Sequence, residues 1–520
     1  MSLARTLIRN IASNWVGYAV QVTVAFFLTP YIIHSLGETR YGIWTLVMGL
    51  TGYYGFLDLG VASGMTQYLT RYLATNDTKS LNRTASTGVV ALACCGVFVF
   101  IVSIVLALNL SNFFQIPQNS ITEAALVIVI TGASVAVQFL LMTYSAVFTA
   151  VQRFDLSNGI GIATRLLSVV VTVWSLKLGY GLVGLSIATA GTNIIDYLIR
   201  WRVSARLLPS MRISPKLATG QKLGELSKFG LWNTAIAGSV HLISYTDSVV
   251  IAAFMPVSAV APFAIAASLR SYFDDIFRRV GYVFFPVATE LDAQGNHEGL
   301  RKLYLVSSKF MFLGSILCGS MAIFWARDFF RLWLGAAFAE AAGYPSIATL
   351  FYLLVFGSIV SVAQRIGYQV LLGRRQVGLL ASLFAAEGVC NFVLSIILVR
   401  AYGLTGVAIG TLVPAVVFQG VLQPLIVCRS LEISLNVYCK EVLLRPILVL
   451  LPLLAVLYAF LSLQQPDNWL TLFFLSSITL AAAIPFVLLI GLNKSERDLL
   501  LVRPTTEALR YLGAVGLTRS

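Results

Sequence analysis

Arg270, Asp274 and Arg278 recur at intervals of four residues, with Tyr282 one interval further on. On a helix such positions form a single stripe, and opposite charges four apart are neighbours. Asp275 and Arg279 make a second pair of the same spacing beside it. A stripe of this kind can bind an anion, because an arginine fork holds two phosphate oxygens at once while aspartates keep the guanidinium planes in position. It can equally be a self-neutralising ladder packed against a neighbouring helix. The five charges sum to +1, so the stripe alone is not strongly cationic. Its surroundings are unusual for charges: residues 254–267 and 280–288 on either side are almost wholly apolar.

Of the 520 residues, 58% are hydrophobic and 11% charged, and the mean hydropathy is +0.85. A soluble chain of this length needs far more charged surface, so lipid must be the solvent of most of it. A helix needs about 20 apolar residues to cross the bilayer core. Runs of that kind lie near residues 12–34, 42–69, 85–108, 121–149, 159–178, 181–200, 229–254, 257–288, 304–326, 345–372, 377–399, 404–427, 443–463 and 468–492. They predict an all-α polytopic membrane protein of about 14 transmembrane helices. The strands of a β-barrel would alternate in polarity, which these runs do not. No cleavable signal peptide is expected, since the run after the basic N-terminus is long enough to span.

The net charge is +14. With the N-terminus in the cytoplasm, 25 Lys and Arg fall in cytoplasmic segments, five (Arg40, Lys177, Arg327, Arg331, Arg400) lie on the opposite side, and six lie inside spans. By the positive-inside rule both termini are cytoplasmic. The excess is thereby explained without nucleic acid, and the basic face is expected against anionic membrane lipids.

The chain also repeats itself. YGLVGLSIAT at 180–189 reappears as YGLTGVAIGT at 402–411, an offset of 222 residues. At the same offset Gln152-Arg153 aligns with Arg374-Arg375, and NFFQI at 112–116 is echoed more loosely by DFFRL at 328–332, an offset of 216. Six spans separate the copies, so the repeat is parallel, about an axis along the membrane normal. The organisation expected is two pseudo-symmetric six-helix lobes (1–201 and 229–428) joined by a basic cytoplasmic linker (202–228). Helices 13–14 (429–492) and a cytoplasmic tail (493–520) follow.

Within that frame Arg270 lies 13 residues into span eight, about 20 Å along the helix. Each charge at such depth costs roughly 2.5–3.5 kcal/mol on insertion scales. The stripe therefore faces a partner helix or a wet cavity. Other intramembrane groups are candidates for substrate or ion handling: Asp58 in span two, Arg165 in span five, His241, Tyr245 and Asp247 in span seven, and Gln364 and Arg365 in span ten. Glu387 in span eleven is the repeat equivalent of Arg165, so the lobes offer opposite charges at matching places. Asp196 and Arg200 read as a structural pair, and His34 as interfacial. DFFRLWLG at 328–335 reads as an amphipathic anchor at the outer interface.

Several motifs carry no chemistry here. GYGLVG at 179–184 has the spacing of a dinucleotide loop, but it joins two membrane spans and lacks the strand that such a loop follows. It is a tight turn. The six cysteines form no CxxC pair, and there is no Walker A sequence, HExxH or nucleophile elbow. No cofactor and no metal is expected, and the chain is not read as an enzyme.

In order and spacing, RYGIWTLVMGLTGYYGFLDLG (40–60), TDSVVIAAFMPVSAVAPFAIA (246–266), LWLG (332–335), the paired YGLxG turns and the fourteen spans resemble the polysaccharide-transport flippases, the Wzx-like branch of the MOP superfamily. The resemblance implies a V-shaped pair of lobes around a cavity. It also implies transport of an undecaprenyl-pyrophosphate-linked oligosaccharide from the cytoplasmic to the periplasmic leaflet of the bacterial inner membrane. Cavity cations would receive the pyrophosphate and sugar: Arg270 and Arg165, with Arg278 and Arg365. Asp58, Asp247, Asp274, Asp275 and Glu387 would be charge partners or coupling sites. Polymerase and glycosyltransferases of the same pathway would be partners. A MATE-like ion-coupled exporter of small molecules shares the two-lobe plan but usually has twelve spans. A membrane glycosyltransferase or polymerase would need a catalytic carboxylate or a substantial extramembrane loop, and the longest internal loop here is the linker of about 27 residues.

Overall fold

A computed structural model describes residues 3–58, 60–340, 343–463, 466–494 and 496–497. Among these residues there is no strand. In chain order the helices are α1 (Leu3–Tyr54), α2 (Val61–Ala74), α3 (Thr78–Leu108), α4 (Leu110–Phe113), α5 (Gln118–Ala150), α6 (Phe154–Lys177), α7 (Gly181–Leu207) and α8 (Gly220–Phe254). They continue as α9 (Val260–Tyr282), α10 (Phe284–Ala293), α11 (His297–Leu334), α12 (Ala336–Ala339), α13 (Ile347–Ala363), α14 (Arg365–Gly373) and α15 (Val377–Pro414). α16 (Gln423–Ser430), α17 (Leu435–Tyr438), α18 (Arg445–Leu463) and α19 (Trp469–Phe486) follow, and a π-helical turn, Val487–Gly491, extends the last of them.

Ten of the described helical stretches are long and apolar enough to cross a membrane, or eleven with the bent pair α13–α14. Two of the ten hold two expected spans each. α1 runs through Gly37, which sits at φ 75°, and α15 runs through Gly403 at φ 57°. Only glycine takes such angles at little cost, so each double helix is two spans joined by a one-residue elbow. α9 is too charged to pass an apolarity test. With it and the two elbows, the fourteen expected segments are all helical.

By packing, the chain divides into two compact units, one up to Ala261 and one from Pro262 onward. The first includes the helix 220–254, which packs on α1, α2 and α3. Small residues set its closest approaches, as expected where lipid gives helices no hydrophobic reason to associate. A Cβ on Gly96 would stand 2.7 Å from the carbonyl oxygen of Ala136, and one on Gly132 would stand 2.1 Å from the Ser103 hydroxyl. Met65, Leu69, Leu81, Leu92, Val99 and Val147 fill the core between these contacts.

Span two is broken. α1 gives way to a 3-10 turn at Gly55–Asp58, and α2 begins after Gly60, whose φ is 76°. There the chain crosses Gly230 so closely that a Cβ on Gly60 would lie 2.4 Å from the Gly230 carbonyl carbon. In the second unit, span eight breaks between Tyr282 and Phe284, the same place in the repeat. Other turns recur too. Asn76 and Gly295, Gln152 and Arg375, and Gly181 and Gly403 take left-handed angles in corresponding turns. Asp77 caps α3 by accepting the Ser80 amide, and Asn296 caps α11 by accepting the Gly299 amide.

The second unit carries the additional C-terminal helices. Leu453, Leu457, Leu472 and Leu475 of α18 and α19 pack with Trp325 of α11. Lys309 of α11, 2% exposed, pairs with Glu441 at 3.1 Å and with Glu496 at 2.7 Å. The 328–334 stretch is the C-terminal end of α11 and buries Phe330, Trp333 and Leu334, with its aromatic face against Phe351 and Trp469. Most of the 493–520 tail lies outside the described residues.

Candidate substrate site

Four of the candidate charges come together in the second unit. Arg270 and Asp274 are one helical turn apart on α9, with Nε of Arg270 3.2 Å from Oδ2 of Asp274. Ser358 of α13 bridges them, accepting from Arg270 Nε at 3.0 Å and donating to Asp274 Oδ2 at 3.1 Å. Arg365 opens α14 just beyond the bend, with its guanidinium 3.8 Å from Oδ1 of Asp274. Gly281 makes room for it: a Cβ there would lie 3.2 Å from Cβ of Arg365. Glu387 of α15 is 1% exposed and feels the charges of both Arg270 and Arg365.

The helix geometry explains how these groups converge. α13 stops at Ala363 and α14 leaves at about 40°. The bend is held by Gln364, whose amide donates to the Tyr438 hydroxyl at 2.5 Å and whose carbonyl accepts from Gln423 at 2.9 Å. It aims Arg365 at α9 rather than onward along α13. After α15 the chain passes into a π-helical segment, Ala415–Leu422, and Gln419 within it donates to Glu387 at 2.6 Å. π segments of this kind often occur at functional positions.

Two arginines and two carboxylates balance formally, yet their polar atoms are not all satisfied. Asp274 Oδ1, Arg365 Nε and Glu387 Oε2 are buried without a hydrogen-bond partner. Unmet donors and acceptors are costly in a low dielectric, so this cluster is the place in the second unit best prepared for a polar guest. Asp274, Arg270 and Arg365 remain 15%, 21% and 26% exposed, so the guanidiniums are reachable.

The remaining candidates lie elsewhere. Arg278 is 58% exposed and pairs with Asp275 at 2.6 Å, three residues back. Positions three and four apart are both close on a helix, so Asp275, expected to face Arg279, also reaches Arg278. Both groups sit outside the cluster. In the first unit Arg165 is exposed on α6 and makes no ion pair among the described residues. Asp58 accepts the Gly60 amide at 2.9 Å and so closes the break in span two, a local structural task. Asp247 is 4% exposed on α8, beside the Tyr53–Thr246 hydrogen bond. Sequence reasoning did not single out Ser358, Gln419 or Lys309. Serine and glutamine are common inside membrane helices, and only the partner across the helix gap marks them out.

Comparisons with known proteins agree with this architecture. Residues 36–343 match the family model described as polysaccharide biosynthesis protein. The membrane protein EpsK of Bacillus subtilis is 20% identical over 510 residues, covering 95% of this chain and 97% of EpsK. A Shigella flexneri protein described as an O-antigen transporter is 20% identical over 411 residues, 78% of this chain and 94% of its own. Among solved structures, the lipid II flippase MurJ in its inward closed conformation superposes with a TM-score of 0.71 at 13% identity, over 92% of this chain and 98% of MurJ. An inward-facing multidrug resistance MATE transporter of the MOP superfamily gives a TM-score of 0.63 at 16% identity, over 78% of this chain and 94% of its own. The family match covers more than half of the sequence, and the chain, a multi-pass membrane protein with the fold of the MOP structures it superposes on, belongs to the polysaccharide biosynthesis protein family.

Proposed function

We propose that the protein moves an undecaprenyl-pyrophosphate-linked oligosaccharide from the cytoplasmic to the periplasmic leaflet of a bacterial inner membrane by alternating access. The observation that carries the reading is the partly exposed Arg270–Asp274–Arg365–Glu387 cluster with its unmet polar atoms. A pyrophosphate cannot cross hydrocarbon unaided, and a shielded pair of guanidiniums lowers that barrier. Before the lipid arrives, Asp274 and Ser358 hold Arg270 in place. The pyrophosphate oxygens then compete with Asp274 for both forks, while Glu387 keeps the site from binding too tightly to release. Both termini lie in the cytoplasm in this reading, with the basic face on anionic lipids. Polymerase and glycosyltransferases of the same pathway are the natural protein partners.

The test is translocation of a polyprenyl-pyrophosphate-linked oligosaccharide in proteoliposomes by wild type, Arg270→Ala and Arg270→Lys. Loss of transport in Arg270→Ala, with normal elution as a folded protein and partial activity in Arg270→Lys, is expected. Unchanged transport by Arg270→Ala would reduce the cluster to packing. A second reading, a MATE-like ion-coupled exporter, is favoured by one observation, the buried Glu387 with its unpartnered Oε2. Export of a small cation, with no movement of the lipid, would establish it instead.

A further inference from the structure

Among its described residues the first unit shows no charged cluster like the one around Arg270, and of that cluster's four charged residues only Glu387 has a charged repeat equivalent, Arg165. At the repeat positions of Arg270, Asp274 and Arg278 it has Met48, Gly52 and Phe56. What it has is a run of rings across spans two and seven. Tyr53 and Phe56 meet edge to face at 5.9 Å, Phe56 and His241 at 5.6 Å, and His241 stacks on Tyr245 at 5.2 Å with 23° between planes. Glycines let these rings lie against backbone. A Cβ on Gly52 would stand 2.9 Å from the Tyr245 ring, and one on Gly238 would stand 2.9 Å from the Phe56 ring. All four rings are only partly buried. The rim is polar: the Tyr53 hydroxyl and Thr246 Oγ1 share a hydrogen bond of 2.7 Å, and Nδ1 of His241 is buried without a partner.

We propose that this run is a saccharide platform, on which Phe56, His241 and Tyr245 take the C–H face of a pyranose ring while His241 and Tyr53 meet its hydroxyls. The assignment rests on the lipid-linked glycan reading above and names the part of the substrate handled by the first unit. Aromatic faces are electronegative and attract the weakly positive C–H groups of a sugar face. The chemistry favours a neutral sugar over an aromatic cation. A cation on these faces would want an open carboxylate beside it, and Asp247 is buried and already engaged.

The experiment compares three lipids that share one polyprenyl-pyrophosphate: bare, carrying one glucose, and carrying a linear tetraglucoside. Affinity of the full-length protein in nanodiscs is measured for wild type, Phe56→Leu, Tyr245→Leu, Phe56→Tyr and Tyr245→Phe. Leucine keeps bulk and helix preference but has no π face, and melting curves confirm that each variant folds. The platform predicts that wild type prefers the glycosylated lipids. It also predicts that each leucine variant loses about five- to ten-fold for them, with the bare lipid unaffected and the aromatic swaps near wild type. Equal losses for all three lipids, or none, would overturn the platform while leaving the flippase reading intact, as would a wild type that binds bare and glycosylated lipids alike. If wild type binds none of the three but binds a tetraphenylphosphonium cation, both readings fall.

Discussion

Span two and span eight occupy the same place in the two copies of a repeat, and they share almost nothing but their backbone. Both break at the same point, one at Gly60 and the other after Tyr282. Facing the matching positions, span two offers Met48, Gly52 and Phe56, where span eight has Arg270, Asp274 and Arg278. The flanking turns agree down to the sign of φ at Asn76 and Gly295 and to the side-chain caps Asp77 and Asn296. Turns and breaks are constrained because few residues can adopt them. Side chains that face a partly open site have no such constraint. A duplicated membrane fold can therefore keep its scaffold twice over while one copy specialises in charge and the other in rings and hydroxyls.

The comparison can be broken first at the crossing. Gly60→Ala should be the most damaging change, because it puts a side chain at φ 76° and against the Gly230 backbone. A loss of at least about 3 kcal/mol is expected, seen as failure to recover monodisperse protein from membranes. Tyr282→Ala at the matching position should have a much smaller effect on yield. Next comes Lys309, 13 residues after the cap of α11; the same distance from the cap of α3 is Val90. Lys309→Met takes the cation from the largely buried Glu496 and leaves Glu441 with Arg445, 3.4 Å away. It should cost about 3–5 kcal/mol, read as a fall in detergent melting temperature, whereas Val90→Met should be nearly silent.

The smallest effect sharpens the comparison through pH. The hydroxyl and amide of Ser80 hold the Asp77 carboxyl below the ordinary carboxylate range. Its folded value is below its unfolded one, so the cap contributes fully above the unfolded value and is lost as pH falls through the folded one. Asn296 does the same capping without titrating. Hydrogen exchange corrected for intrinsic rates should show the first turn of α3 loosening between neutral pH and about pH 3, while the first turn of α11 stays as it was. Asp77→Asn should remove the difference.

Much of this was legible in the sequence. Apolar run lengths gave the fourteen helical segments, and the paired YGLxG turns gave the repeat. Arg270, Asp274, Arg365 and Glu387 stood out because charges are rare and costly in lipid. Their convergence was not legible, since it depends on the bend at Gln364 and on the π segment that presents Gln419. Neither has a periodic signature. The packing of the DFFRLWLG stretch was not legible for a related reason: its aromatic face suits an interface or a protein partner equally well, and α13 and α19 supply the partner. Asp58 shows the converse, an intramembrane acid explained by the glycine two residues on.

The charge pattern of α9 bears on how the chain enters the membrane at all. Synthesis delivers α9 before α13, α14 and α15, so Ser358, Arg365 and Glu387 do not yet exist when Arg270 must leave water. Asp274 and Asp275 are already there, each paired within the same helix, with Arg270 and with Arg278. A helix that neutralises most of its own charge can wait in the bilayer for its later neighbours, and Asp274 can then turn its other oxygen to Arg365 when that arrives. Asp274→Asn should therefore show itself earliest as a topology defect, with span eight failing to insert in chains truncated before residue 347.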